Sequence, residues 1–229
     1  MTSVAIKGSA FTITYAVLAV VVLYILEQVL PVNYAIKTAA KILLFAALPF
    51  LYSRIVLGER NLFGSRVALS GKALLHAFAI GLCSITAIFA AYLFLGPLID
   101  FDGIIQELQS KLGIRAANFI FVGLYVSIGN SFVEEYFFRK HLFLNLYREG
   151  KRSLAHLLSA LLFALYHIVI IETWFSLPLT TLALIGLFLV GLAFNYMNSR
   201  AGNFLYSWVA HMLADVALFI IGLRLFGII

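Results

Sequence analysis

Blocks of about 20 mostly apolar residues, the length that carries a helix across a bilayer, recur along this chain. They fall at roughly 10–30, 38–57, 73–98, 116–138, 154–172, 177–197 and 204–226. The pattern predicts an all-α polytopic bundle of seven transmembrane helices. The fourth block is expected to continue as helix to about Tyr147, because no Gly or Pro interrupts it before Gly150. An eighth helix depends on LIDFDGIIQELQSKLGI (98–114). There Leu98, Ile104, Ile105, Leu108 and Leu112 suggest an apolar face opposite Asp100, Asp102, Glu107 and Lys111. Either an interfacial helix on the outer surface or a polar loop with a helical turn accounts for it. No internal repeat and no low-complexity linker divides the chain, so residues 1–229 read as a single membrane domain.

Composition supports the same reading. The 229 residues are 63% hydrophobic and 11% charged, with a mean hydropathy of +1.04. A soluble domain averages about 45–50% apolar and about 25% charged, and no soluble fold of this size buries so much apolar surface. The net charge of +6 does not point to nucleic acid, because the basic residues fall mostly in two inter-helix loops. One loop carries Arg54, Arg60, Arg66 and Lys72; the other carries Arg139, Lys140, Arg148, Lys151 and Arg152. By the positive-inside rule these loops are cytoplasmic, which puts the N-terminus inside and the C-terminus outside. Lys37 and Lys41 count as outer-loop charges, and the bias is eleven to five. The expected location is a bacterial cytoplasmic membrane, in keeping with how little of the chain lies beyond its membrane core. The first apolar run is longer than a signal-peptide core and reads as a retained span. Cys83 is the only cysteine and reads as a small packed side chain.

Ionisable residues inside apolar blocks are expensive and usually mark function. Here they form EEYFFR (134–139), FALYH (163–167) and HMLAD (211–215). Glu135 and Arg139 are i,i+4 and can pair within one helix. Glu134 points about 100° away and reads as the carboxylate free to act, with Asn130 and Ser131 one turn earlier on its face. A buried carboxylate near an imidazolium is suited to general-base work. His167 follows on the next span, and the levels of the two match only if those spans tilt or extend. His211 and Asp215 are again i,i+4, so Asp215 can orient the imidazole or sit beside it facing the same cavity. Glu134, His167 and His211 can activate a water by acid–base chemistry alone, or they can be three ligands of Zn²⁺ with water in the fourth position. Phe163 is expected to shape the wall around His167. His76, His141 and His156 read as interfacial, and Glu27 and Glu172 as solvated span-end groups.

The ordered set EExxxR, FxxxH and HxxxN/D in successive apolar segments resembles the CPBP intramembrane proteases, which include CAAX prenyl endopeptidases and Abi-type immunity proteins. The resemblance covers about residues 115–226. It implies an intramembrane endopeptidase, a peptide hydrolase, in which Glu134 and His167 activate water. It further implies that His211 and Asp215 stabilise the oxyanion while Glu135 and Arg139 support the site. The last motif ends in Asp215 where CAAX endopeptidases typically carry Asn, and an ionised Asp cannot donate a hydrogen bond. A metal-free, glutamate-dependent mechanism is favoured, with no cofactor; zinc held by Glu134, His167 and His211 is the alternative. The implied partners are the lipid bilayer and a membrane-associated protein or peptide substrate, with no nucleic acid. A second class of function is a non-enzymatic immunity or scaffold protein that binds a bacteriocin-like peptide or a membrane partner. A proton-coupled transporter is disfavoured, since the chain shows no repeated halves.

Overall fold

The structure, a computed structural model, describes residues 2–30, 32–59 and 70–229, with side chains from Gly8 onward. Seven helices are long and apolar enough to cross a membrane: α1 (Gly8–Val29), α2 (Tyr34–Ile55), α3 (Gly71–Leu98), α5 (Ala116–Arg148), α6 (Arg152–Ile171), α7 (Leu177–Ala201) and α8 (Leu205–Leu225). The shorter α4 (Phe101–Leu112) joins α3 to α5. No strand occurs among the described residues. The chain is an all-α integral membrane protein. Side chains such as Phe94, Phe121 and Leu177, each at least 75% exposed, face outward from the bundle. An apolar solvent accommodates such side chains without cost. Cys83 is among these outward-facing groups rather than packed inside. Arg60 and Arg66 lie outside the described residues.

For the segment 98–114 the helical alternative holds. The Asp100 side chain accepts the Gly103 N–H at 3.0 Å, capping the N-terminus of α4. Gly113, at φ 68°, ends the helix in the left-handed region, and Ile114 N–H returns to Leu108 O. Ile104 is buried on its apolar face.

The central element is α5, which touches α1, α2, α6, α7 and α8. Its aromatic run fills the space between α1, α2 and α6. Phe137 stacks on Phe45 of α2 with ring centroids 3.9 Å apart, and Phe138 meets Phe163 of α6 edge-on. His141 is part of this packing and not interfacial, enclosed by the rings of Tyr15, Tyr52 and Phe137. The extension of α5 to Arg148 also settles the level of the two motif helices. Glu134 lies fourteen residues before the end of α5, and His167 fifteen residues after the start of α6. At equal rise per residue in an antiparallel pair, the two come level.

The bundle closes through α3 against α8, where small residues permit close approach. A Cβ on Gly81 would lie 2.8 Å from the Leu213 Cβ and 2.5 Å from its Cδ1. Leu213 sits between His211 and Asp215, so a push here displaces both. Gly81→Ala is expected to lower stability by about 1–3 kcal/mol, as overpacking does, and to lower activity. Thermal unfolding in detergent checks this, and adding Leu213→Ala should recover part of the loss.

Candidate active site

Two local irregularities of α5 frame its acidic pair. The helix widens to i→i+5 hydrogen bonding at Tyr125–Asn130 and again at Tyr136–Leu144, leaving Ser131–Glu135 as a regular segment between them. Widened turns of this kind recur at functional sites. Glu135 turns toward α8, and Arg139 follows one turn later with its Nε 3.3 Å from Glu135 Oε2. Both side chains are fully buried. The guanidinium lies over the Phe163 ring, 4.3 Å from its centroid, with Phe194 on another side. The expected pairing within one helix is present.

Glu134 is not the free carboxylate that its sequence position suggests. Lys41 of α2 places Nζ 2.7 Å from Glu134 Oε1. Asn130 donates its Nδ2 to the same oxygen at 2.9 Å, while the Lys41 ammonium also donates to Asn130 Oδ1. Lys41 had read as an outer-loop charge; it lies inside α2 because Asn33 caps that helix early, its side chain accepting the Ile36 N–H at 3.0 Å. Beyond Lys41 the helix widens at Leu43–Ala47 ahead of Pro49, which has no N–H to donate. Ser131, read with Asn130 as facing Glu134, instead bonds back to the Ser127 carbonyl.

His167 sits where α6 breaks. Its backbone N–H bonds Ala164 O, and its ring Nδ1 takes the Phe163 carbonyl at 2.7 Å. Nδ1 must donate there, because a carbonyl only accepts; Nε2 then carries the lone pair in the neutral ring. That Nε2 is 3.8 Å from Glu134 Oε2. Phe163 therefore supports the site twice, through its carbonyl and through a ring set edge-on to His167 and His211.

On α8, His211 places Nδ1 3.1 Å from Glu135 Oε1, and Nε2 3.9 Å from Glu134 Oε2. Asp215 Oδ2 is 3.8 Å from the same Nε2. Of the two arrangements open to Asp215, the structure has it beside the ring, facing the same space; the group that holds the imidazole is Glu135. Glu134 forms the floor, its side chain 2% exposed, while Lys41, His167, His211 and Asp215 line the more open side at 10–15%.

The six motif residues Glu134, Glu135, Arg139, His167, His211 and Asp215 thus come together, with Phe163 beside them. Sequence reasoning missed Lys41 and also Tyr166, whose buried ring lies 4.8 Å from the Lys41 ammonium. The available signal was the KTAAK pair at the head of α2, where one lysine of two is carried a full turn deeper into the apolar block. Lys41 and Asn130 hold Oε1 of Glu134, whereas its Oε2 faces the Nε2 atoms of His167 and His211 at 3.8 and 3.9 Å.

Residues 116–217 match the family model for the type II CAAX prenyl endopeptidases, Rce1-like. That segment is Rce1-like. No curated protein and no solved structure matches the chain. The matched segment runs from the start of α5 into α8 and holds every motif residue named above, whereas Lys41 lies outside it. Similarity of the segment to this family supports a CAAX-protease-like endopeptidase.

Proposed function

We propose that the protein hydrolyses a peptide bond in a membrane-associated protein or peptide, with a water activated between Glu134 and His167. One observation carries the reading. Glu134 Oε1 accepts from Lys41 and Asn130, whereas Oε2 is buried, has no hydrogen-bond partner among the described residues, and faces Nε2 of both histidines. A water in front of Oε2 can donate one proton to the carboxylate and the other to the His167 Nε2 lone pair, which raises the nucleophilicity of its oxygen.

The remaining groups suit the later steps. With Glu135 paired to Arg139, His211 donates Nδ1–H to Glu135, and the scheme takes the ring as the imidazolium, with Nε2–H as its second donor. That N–H is available to the oxyanion that forms when water adds to the carbonyl. Collapse breaks the C–N bond, and the proton taken from water passes to the departing amine. Asp215 in this scheme holds the charge on His211 and does not itself donate to the oxyanion. The reaction site lies within the membrane core, the N-terminus faces the cytoplasm, and the membrane is a bacterial cytoplasmic one.

The reading is metal-free and requires no cofactor. The chain purified into liposomes is expected to cleave members of a panel of lipidated and membrane-spanning peptides, and to do so equally with or without a zinc chelator. Loss on chelation with rescue by Zn²⁺ would instead assign Glu134, His167 and His211 as metal ligands. An immunity or scaffold role predicts no cleavage and a cellular phenotype that survives Glu134→Gln.

A further inference from the structure

We infer that Lys41 is a positioning residue of this site, orienting Glu134 and balancing its charge from a helix outside the matched segment; the inference rests on the hydrolase reading above. The hydrogen bonds around Glu134 are asymmetric. Lys41 Nζ and Asn130 Nδ2 both donate to Oε1, at 2.7 and 2.9 Å. Asn130 is itself held by Lys41 through its Oδ1, so the three side chains form a closed triangle. Two donors on one oxygen fix the carboxylate plane, and that plane aims Oε2 at His167 and His211. Without the ammonium, Oε1 keeps only the amide of the two donors that fix this plane.

Charge leads to the same residue. Glu134 and Glu135 from α5 and Asp215 from α8 place three carboxylates around His211. Arg139 pairs with Glu135 and Lys41 with Glu134, in a place where two charges of one sign are strongly coupled because little water screens them. The ammonium is buried in turn, and its desolvation is offset by its partners on Glu134 and Asn130 and by the Tyr166 ring beneath it. The first two helices therefore contribute to the chemistry as well as to the wall of the bundle.

Two measurements test this together. In the cleavage assay, Lys41→Met is expected to lower kcat by about 10²-fold with KM unchanged, the scale of a misplaced reacting group, and Lys41→Arg should recover most of the loss. In thermal unfolding, Lys41→Met should lower Tm when Glu134 is present and should cause no drop in a Glu134→Gln background. A folded Lys41→Met protein with wild-type kcat overturns the inference, as does an equal Tm loss in both backgrounds. A wild-type chain inert on every substrate sinks the hydrolase reading instead, and the unfolding cycle then decides the Lys41–Glu134 partnership by itself.

Discussion

Glu134→Gln is expected to reduce kcat/KM by about 10³-fold or more while the chain stays folded, within the range by which a positioned acid–base group contributes. The substitution keeps the shape of the side chain and removes its charge. The amide oxygen can still accept from Lys41 and Asn130, which occupy Oε1 at 2.7 and 2.9 Å, so the packing between α2 and α5 survives. On the other branch an NH₂ replaces Oε2. It donates where the carboxylate accepted, and no longer takes a proton from water. Cleavage followed by mass spectrometry, with thermal unfolding of the same preparation, separates the two effects. A folded Glu134→Gln protein with near-normal activity would remove Glu134 from the mechanism.

The largest stability effect is expected at Arg139. Arg139→Met leaves Glu135 buried without its guanidinium partner, and breaking a buried pair from one side costs about 3–5 kcal/mol. The Arg139 and Glu135 side chains are both fully buried and sit 3.3 Å apart, so no solvent can replace the lost partner. The variant should accumulate poorly and unfold at a lower temperature. Adding Glu135→Gln should restore much of the stability, since the buried charge is then gone. It should not restore activity, because the amide at position 135 no longer stabilises a proton on His211 Nδ1, 3.1 Å away in the native protein. An Arg139→Met protein with native Tm contradicts this account of the pair.

The seven spans were legible in the sequence because the bilayer imposes a length on each apolar block, and tertiary packing cannot override it. The motif residues were legible because ionisable groups stand out in such blocks. Lys41 was not, for a physical reason: near the end of an apolar block a lysine reads as a loop charge, and the early capping of α2 by Asn33 places it about two turns inside. The pairing on His211 was equally hidden. The i,i+4 spacing from His211 to Asp215 names a neighbour, but Glu135 reaches Nδ1 across the helix–helix interface, and no spacing within one helix reports that. The match in level between Glu134 and His167 depended on how far α5 extends past its apolar stretch through Lys140 and His141. Both are buried there, Lys140 by pairing with Glu59 and His141 by the aromatic rings around it.

The central claim, that this protein cuts membrane-associated polypeptides with Glu134, is tested most directly by comparing the termini of membrane proteins in cells that make either the native chain or Glu134→Ala at equal abundance. The account predicts a set of new termini present only with the native chain, clustered at membrane-proximal positions. Identical termini in the two, with the phenotype of the native chain intact in Glu134→Ala, would contradict it.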